Sequence, residues 1–164
     1  MPIKKGLGRL KLIFTLFLVL IVLLVSILTV NKQTSTDNVT TEVAEVTGII
    51  DGDTFFIKGS EKVRLICVDA PEFGDPGYWP ARKFLEDKIK GQNVTLVKDF
   101  SERDNYDRLL RYVYLNETLI NELLVLEGLA KYYPYGPDVS LCPKIREAEN
   151  YAWENNLGIW NMGN

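Results

Sequence analysis

The 164-residue chain contains no histidine. This absence excludes Ser-His-Asp and Cys-His catalysis, phosphohistidine chemistry and every metal site that needs an imidazole ligand. The chain has only two cysteines, Cys67 and Cys142, which are too few for a four-thiolate zinc site. If the protein is an enzyme, carboxylates must supply its acid–base and metal chemistry, with arginine, lysine or tyrosine assisting.

Charge is distributed unevenly along the chain. Hydrophobic residues make up 46% and charged residues 25%, which is typical of a globular protein. The net charge is −3, yet the first 30 residues carry four basic side chains and no acidic one. The remainder carries 15 basic and 22 acidic side chains and so has a net charge of −7. Such a domain repels nucleic acid as a whole, and any binding of nucleic acid must rest on a local site.

Residues 12–30 form an apolar run without a single charge. A helix of this length spans about 28 Å, close to the thickness of the hydrocarbon core of a bilayer. Because the basic side chains precede the run, residues 1–11 are predicted to be cytoplasmic, the run to be a transmembrane anchor, and the domain to lie outside the cytoplasm. Secretion after cleavage of a signal peptide is the alternative. Residues 31–45 are rich in Thr, Ser and Asn and are predicted to be a polar linker.

Residues 46–162 are predicted to form one α+β domain. Turn signals separate short runs of β-forming residues in the first half, and amphipathic helical patterns follow. The predicted strands are residues 46–50, 54–58, 62–68, 93–100 and 109–115. The predicted helices are residues 80–90, 121–127 and 143–155. Five short strands with three helices indicate a five-stranded OB-type β-barrel packed against helices.

Two acidic pairs stand at the ends of predicted strands. Asp51 and Asp53 lie in the first turn, where Asp-Gly is also a common hairpin signal with no chemical role. Asp69 and Glu72 follow the third strand. A hard divalent cation needs several oxygen ligands, which Asp53, Asp69 and the backbone carbonyl of Ala70 could provide at one rim of a barrel. Glu72 would then be close enough to hold a water molecule.

Two arginines complete this constellation. Arg64 interrupts the apolar strand of residues 62–68, and Arg108 directly precedes another strand. An outward-facing strand position and a solvated loop charge are the simpler explanations, but guanidinium groups are also the best suited to hold phosphate. Strict alternation places Arg64 and Asp69 on opposite faces of a strand. Both can face one site only if the strand bends or bulges before Asp69.

Five short motifs in order resemble the staphylococcal nuclease (thermonuclease) family. They are Asp-Gly-Asp-Thr at 51–54, Val-Arg-Leu-Ile-Cys-Val-Asp-Ala-Pro-Glu at 63–72, Asp-Asn-Tyr-Asp-Arg at 104–108, Glu-Gly-Leu-Ala-Lys at 127–131 and Leu-Gly-Ile-Trp at 157–160. The resemblance covers residues 46–160, essentially the whole domain. It implies a five-stranded OB-fold barrel with three helices, and a Ca²⁺-dependent nuclease of DNA and RNA that leaves 3′-phosphate ends.

The resemblance also implies a role for individual residues. The implied calcium ligands are Asp53, Asp69 and the carbonyl of Ala70. The implied catalytic residues are Glu72, as general base for the attacking water, and the phosphate-binding Arg64 and Arg108. Ala70 replaces a commoner threonine, which matters little for a carbonyl ligand. Asp107 replaces a glycine found in many members, adds negative charge beside Arg108, and is expected to impose a non-glycine backbone there.

Three tyrosines and the cysteine pair are further candidates. Tyr106, Tyr133 and Tyr135 could stack on nucleic-acid bases, although packing at a barrel rim is the alternative. Cys67 follows the same alternation as Val63 and Leu65 and is therefore expected to be buried. An exported domain permits a disulfide between Cys67 and Cys142. The sequence does not show whether these two cysteines come close enough to pair.

We therefore expect a monomeric, Ca²⁺-dependent nuclease with low base specificity that acts preferentially on single-stranded DNA or RNA and has no known protein partner. Two other functions fit the same barrel: a catalytically inactive module that binds nucleic acid, and a membrane-tethered domain that binds a protein. A degenerate module should lack some of the acidic and basic residues of the implied site. All of them are present, which favours the enzyme.

Overall fold

The computed structural model describes Phe14, residues 16–22 and residues 41–161. Phe14 and residues 16–22 are helical. Among the residues described, none belongs to a helix with both the length and the apolar character needed to cross a bilayer. The rest of the apolar run at 12–30, and the predicted linker up to residue 40, lie outside the described residues. The membrane anchor therefore stays a prediction.

Eight strands and three α-helices make up residues 41–161. The strands are β1 (Thr41–Ile49), β2 (Thr54–Ile57), β3 (Lys62–Leu65), β4 (Val68–Asp69), β5 (Asn93–Val97), β6 (Leu109–Leu115), β7 (Thr118–Leu119) and β8 (Lys131–Tyr132). The helices are α1 (Tyr78–Ile89), α2 (Ile120–Leu126) and α3 (Cys142–Glu154), followed by a 3₁₀ helix at Gly158–Asn161.

The long strands close into a five-stranded barrel. Their order is β3-β2-β1-β5-β6, and a parallel pairing of β3 with β6 closes the ring. β7 extends the sheet beside β6, and β4 pairs separately with β8. The α+β class and the five-stranded barrel predicted from the strand pattern are confirmed.

The domain begins earlier than the predicted boundary at residue 46. Residues 41–45 belong to β1 and pair with β5, so this part of the predicted linker is wrong. β1 then shifts register between Val46 and Gly48 and pairs with β2. All but one of residues 41–45 are exposed, which explains why no apolar alternation marked them as a strand. Hydrogen bonds to β5, and not the burial of apolar side chains, hold this segment in the sheet.

The helices differ from the prediction at their ends. α1 begins at Tyr78, two residues before Pro80, because Gly77 forms the N-cap with φ 93°. Proline is tolerated within a first turn, since its missing N–H has no intrahelical partner there. α2 and α3 are each displaced by one residue from the predicted ranges. The strand predicted at 93–100 ends at Val97.

Close packing against the core holds the β1–β2 turn, which carries Asp51 and Asp53, in place. α1 packs its buried Ala81, Leu85 and Ile89 against the barrel. Gly52 lies so close to this helix that a Cβ atom there would stand 2.6 Å from the methyl carbon of Ala70 and 2.7 Å from that of Ala81. The β1–β2 turn is therefore held against the β4 end, which brings the two acidic pairs together.

Candidate active site

A sharp turn interrupts the strand predicted at residues 62–68. β3 ends at Leu65, and β4 resumes at Val68. Between them Cys67 has a φ of 61°, a left-handed conformation that ends regular strand geometry. As a result Arg64 Nη2 lies 3.5 Å from Asp69 Oδ1. The bend that strand alternation required before Asp69 is confirmed.

Asp53 is the buried acid of the site. Its side chain accepts hydrogen bonds from the backbone N–H of Ala70 at 2.7 Å and from the Thr54 hydroxyl at 2.9 Å. Arg64 Nη2 is 3.2 Å from Asp53 Oδ2. Burial nevertheless raises the pKa of Asp53 to about 7, and the nearby charge of Asp51 also raises it. A second cation beside this carboxylate would stabilise its ionised form.

The oxygen atoms of Asp53, Asp69 and Ala70 suit a hard cation. Asp53 and Asp69 both approach the same nitrogen, Arg64 Nη2, so the two carboxylates converge on one point. Ala70 follows directly, and its carbonyl is available as a third oxygen. In residues 41–161, no three acidic or cysteine side chains cluster as a metal site. Calcium takes six to eight oxygens, so water and substrate oxygens would complete a set built on two carboxylates and a carbonyl.

Arg64 is neither outward-facing nor loose. Its Nη1 donates to the carbonyls of Leu65 at 3.0 Å and Val68 at 2.6 Å. The guanidinium thus closes the turn between β3 and β4 while its Nη2 faces Asp53 and Asp69. Its side chain is only 15% exposed, which excludes the interpretation as a solvated strand position.

Asp104 positions Arg108. Asp104 Oδ1 accepts the backbone N–H groups of Tyr106 at 2.9 Å and Arg108 at 3.0 Å, and Oδ2 accepts Arg108 Nε at 2.7 Å. Burial raises the pKa of Asp104, but these hydrogen bonds outweigh burial and hold the pKa below its usual value. Arg108 Nη1 also donates to the Thr54 hydroxyl at 3.4 Å, and Nη2 makes no hydrogen bond to any residue that the structure describes. Asp104 is not among the predicted site residues, although an Asp that begins a tight turn is a recognisable signal in a sequence.

Replacing Asp104 with asparagine tests this positioning. Asp104→Asn keeps an oxygen for the two backbone N–H groups but loses the charged acceptor of Arg108 Nε. We expect about a tenfold loss of kcat/KM, the scale of one hydrogen bond to a charged group. In a double-mutant cycle on kcat/KM, the same change made in an Arg108→Ala background should cost almost nothing. Fully additive losses would show that Asp104 acts independently of Arg108.

Asp107 adopts a left-handed backbone conformation, which glycine enters more easily than any other residue. Its φ is 63°, so the expectation of a non-glycine backbone at this position is wrong. Asp and Asn enter the left-handed region more easily than other side-chain-bearing residues. Arg103 stabilises the turn by donating from Nη1 to the Asp107 carbonyl at 2.8 Å, and its Nε is 3.5 Å from Asp107 Oδ1.

Asp107→Gly should raise the free energy of unfolding by about 1 kcal/mol, because glycine has no steric cost in the left-handed region. Asp107→Asn is the matched control, since it removes the charge and keeps a side chain at the same φ. Chemical denaturation of both variants measures the difference. Equal stability of the two variants would show that charge, not backbone conformation, is what Asp107 contributes.

The three candidate tyrosines line one pocket with both arginines. We call it the tyrosine pocket, and its volume is about 310 Å³. Tyr106, Tyr133 and Tyr135 are each more than half exposed, which argues against a role in packing. Arg108 Cζ lies 5.4 Å from the centre of the Tyr106 ring. The structure therefore places aromatic rings beside guanidinium groups. This combination suits a ligand that has both negative charge and flat rings.

Glu72 lies in a neighbouring pocket. This second pocket has a volume of about 370 Å³, and Asp69, Ala70, Lys131 and Trp160 line it together with Glu72. Glu72 is exposed, and no other described residue forms a hydrogen bond or ion pair with its carboxylate. Asp69 borders the second pocket and contacts Arg64 of the first.

Cys67 and Cys142 form a disulfide, with their Cα atoms 5.7 Å apart. This distance lies within the usual range for a disulfide. The bond ties the turn between β3 and β4 to the first residue of α3. The sequence permitted this pairing but could not show it.

Comparison with known proteins finds relatives that are nucleases by name. Residues 62–162 match the family model described as staphylococcal nuclease homologue. The chain is 36% identical over 138 residues to a thermonuclease of Staphylococcus intermedius and 32% identical over 138 residues to one of Staphylococcus hyicus. Each match covers 79% of this chain and 82% of the relative. Endonuclease YncB of Bacillus subtilis is 34% identical over 122 residues, covering 68% of this chain and 58% of that protein.

Proposed function

Since the chain belongs to the staphylococcal nuclease homologue family, we propose that it is a nuclease that hydrolyses phosphodiester bonds of DNA, RNA or both. One observation carries this proposal. Asp53, Asp69 and Arg64 converge at the rim of a pocket that also holds Arg108. Two carboxylates that can hold a cation, beside two guanidinium groups that can hold a phosphate, are suited to phosphodiester hydrolysis without histidine.

We propose Ca²⁺ as the metal, held by Asp53, Asp69 and the carbonyl of Ala70. The bound ion would supply positive charge against the phosphoryl oxygens as their charge develops. Asp53 is buried with Arg64 as its basic neighbour, and a bound cation would further stabilise its ionised carboxylate. The local positive charge would also offset the net negative charge of the domain.

The chemical step is proposed as in-line attack by water. Glu72 accepts a proton from the water while the new P–O bond forms. The bond from phosphorus to the 5′ oxygen breaks, the 5′ oxygen is protonated from solvent, and the phosphate stays on the 3′ oxygen. Arg108 donates to the non-bridging oxygens, where negative charge increases in the transition state, and Arg64 donates there when Nη2 leaves its contacts with Asp53 and Asp69.

The tyrosine pocket supports low base specificity and a preference for single strands. Tyr106, Tyr133 and Tyr135 present ring faces on which any base can stack. Bases in a duplex are already stacked on their neighbours, so an unpaired strand reaches these rings more easily. Every residue assigned to the site belongs to one chain, and we propose that the protein acts as a monomer.

Cleavage assays with the full-length protein test the proposal. Single-stranded DNA, duplex DNA and RNA would be incubated with Ca²⁺, with Mg²⁺ and with EDTA. We expect cleavage only with Ca²⁺, fastest on the single strand, and products whose 3′ phosphate is removable by a phosphatase. Cleavage that persists in EDTA would contradict the metal assignment. Intact nucleic acid in every lane, from folded protein, would favour the inactive binding module.

We also propose that residues 12–30 anchor the domain outside the cytoplasm, with secretion after signal cleavage as the alternative. A disulfide at Cys67 and Cys142 supports an oxidising compartment. Fractionation of cells and protease treatment of intact cells distinguish the outcomes. An anchored protein stays in the membrane fraction and loses its domain to external protease, whereas a secreted one appears in the medium with a shortened N-terminus.

A further inference from the structure

An exposed group of aromatic rings stands next to the candidate general base. Phe73 and Trp79 are 77% and 62% exposed, whereas Tyr78 between them is buried. We call Phe73, Tyr78 and Trp79 the aromatic patch. Soluble proteins seldom expose large aromatic rings side by side without a binding role.

The rings of the aromatic patch support one another. Ring centres lie 5.4 Å apart for Phe73 and Tyr78, 5.0 Å for Tyr78 and Trp79, and 6.2 Å for Phe73 and Trp79, all edge to face. The Tyr78 hydroxyl donates to the Ile50 carbonyl at 3.4 Å, which fastens the central ring to the barrel. Such held rings lose little conformational entropy when a flat ligand stacks on them.

The aromatic patch adjoins the site on the side away from the tyrosine pocket. Phe73 directly follows Glu72, which lines the second pocket. Val68 lines the tyrosine pocket and Asp69 the second pocket, and successive residues of a strand face opposite sides. The two pockets therefore lie on either side of β4 and meet at Asp69, which also contacts Arg64. A strand of nucleic acid cut at this rim must leave on both sides, and the second pocket and aromatic patch occupy one of them.

The charges around the aromatic patch favour a base over a phosphate or a membrane surface. Glu72 and Asp75 flank it in the loop, and the nearest basic residues of α1 are already paired. Arg82 Nη1 lies 3.2 Å from Glu86, and Lys83 Nζ lies 2.7 Å from Asp87. An anionic bilayer or a bare phosphate would be repelled, whereas an uncharged base stacks on a ring regardless of these charges.

Lys131 could bind a phosphate of the nucleic-acid strand near the aromatic patch. Lys131 of β8 is the basic residue that lines the second pocket, and it pairs in register with Asp69. Its side chain makes no ion pair with any residue in the described part of the chain. The strand could therefore place a phosphate at Lys131 and the next base on the aromatic patch.

We propose that the aromatic patch is a second base-stacking subsite, which binds the nucleic-acid strand on the side of the scissile phosphate remote from the tyrosine pocket. This proposal rests on the proposed nuclease function and adds a consequence to it. An enzyme with ring platforms on both sides of the cleaved bond gains binding energy from a continuous strand. It therefore cuts within strands faster than at their ends.

Truncated substrates test the subsite. Two series of single-stranded oligonucleotides would carry a single nuclease-sensitive phosphodiester, the other linkages being resistant analogues. One series extends by zero to four nucleotides on the 5′ side only, and the other on the 3′ side only. For the double variant Phe73→Ala/Trp79→Ala we expect KM to rise about tenfold for longer members of one series. KM for the other series and for the shortest substrates should not change.

The matched control is Phe100→Ala/Trp153→Ala. Both of these rings are exposed, neither lines a pocket of the site, and neither contacts another ring within the described residues. This control should leave KM unchanged for every substrate. A direct readout is Trp79 fluorescence in a Glu72→Gln background, where addition of an uncut strand with Ca²⁺ should quench the emission that Trp79→Ala removes.

Three results would overturn the subsite. These are an unchanged KM in both series, an equal loss on all substrates including the shortest, and a loss of binding to phosphatidylcholine vesicles without any change in KM. The last would assign the aromatic patch to a membrane surface. Failure of the wild-type protein to cut any substrate is a different outcome, since it contradicts the nuclease function itself.

Discussion

Glu72→Gln should lower kcat on single-stranded DNA by about 10²- to 10⁴-fold, the contribution usual for a general base. Glutamine keeps the size and hydrogen-bonding reach of the side chain but cannot accept the proton of the attacking water. The melting temperature should stay the same, because Glu72 is exposed and no other described residue bonds its carboxylate. Single-turnover rates with saturating enzyme measure the chemical step directly.

Asp75→Asn is the matched control for Glu72→Gln. Asp75 is an exposed acid in the same loop and also lines the second pocket. Its replacement removes the same charge from the same pocket, so any effect of bulk electrostatics on substrate binding appears in both variants. If both variants lose kcat equally, Glu72 acts through its charge alone. In that case another group, or solvent, accepts the proton.

Much of the barrel could be predicted because its strands carry strong patterns. β2, β3 and β6 lie within or match their predicted ranges, since each is rich in β-forming residues, and buried residues alternate along β3. The exposed first half of β1 and the two-residue strands β7 and β8 escaped prediction. Hydrogen bonds to β5, β6 and β4 define these segments, and pairing between distant residues leaves no mark on local sequence.

The site was predictable in its residue types but not in its geometry. The need for a bend between Arg64 and Asp69 followed from strand alternation, yet nothing in the sequence showed that Cys67 would adopt a positive φ. Arg64 holds that turn by hydrogen bonds to two backbone carbonyls, and backbone carbonyls leave no signal in the sequence. Likewise nothing in the sequence showed that Glu72 would line a different pocket from Arg64 and Arg108.

The prediction about Asp107 failed for a physical reason. A residue other than glycine was expected to force a different backbone before Arg108, yet Asp107 takes a φ of 63°. The surrounding hydrogen bonds of Asp104 and Arg103 over-determine the turn. Side-chain preference is a bias of about 1 kcal/mol, which several such bonds can outweigh.

Removing the disulfide should have the largest effect on stability. Cys67→Ala/Cys142→Ala frees a loop closed across a sequence separation of 75 residues. Loss of that cross-link from the unfolded chain should lower the free energy of unfolding by about 4 kcal/mol. For a domain of this size the melting temperature should then fall by roughly 15 °C. Thermal unfolding of the oxidised protein, the reduced protein and the double variant measures the effect.

The reduced wild-type protein and the double variant should melt together, because both lack the cross-link and differ only in two small side chains. A variant that melts well below the reduced protein would show that packing of the sulfur atoms matters more than the cross-link. Activity far below the melting temperature separates stability from geometry. Cys67 lies in the turn between Arg64 and Asp69, so a folded but reduced protein with unchanged kcat would show that Arg64 and its carbonyl partners hold this turn without help from α3.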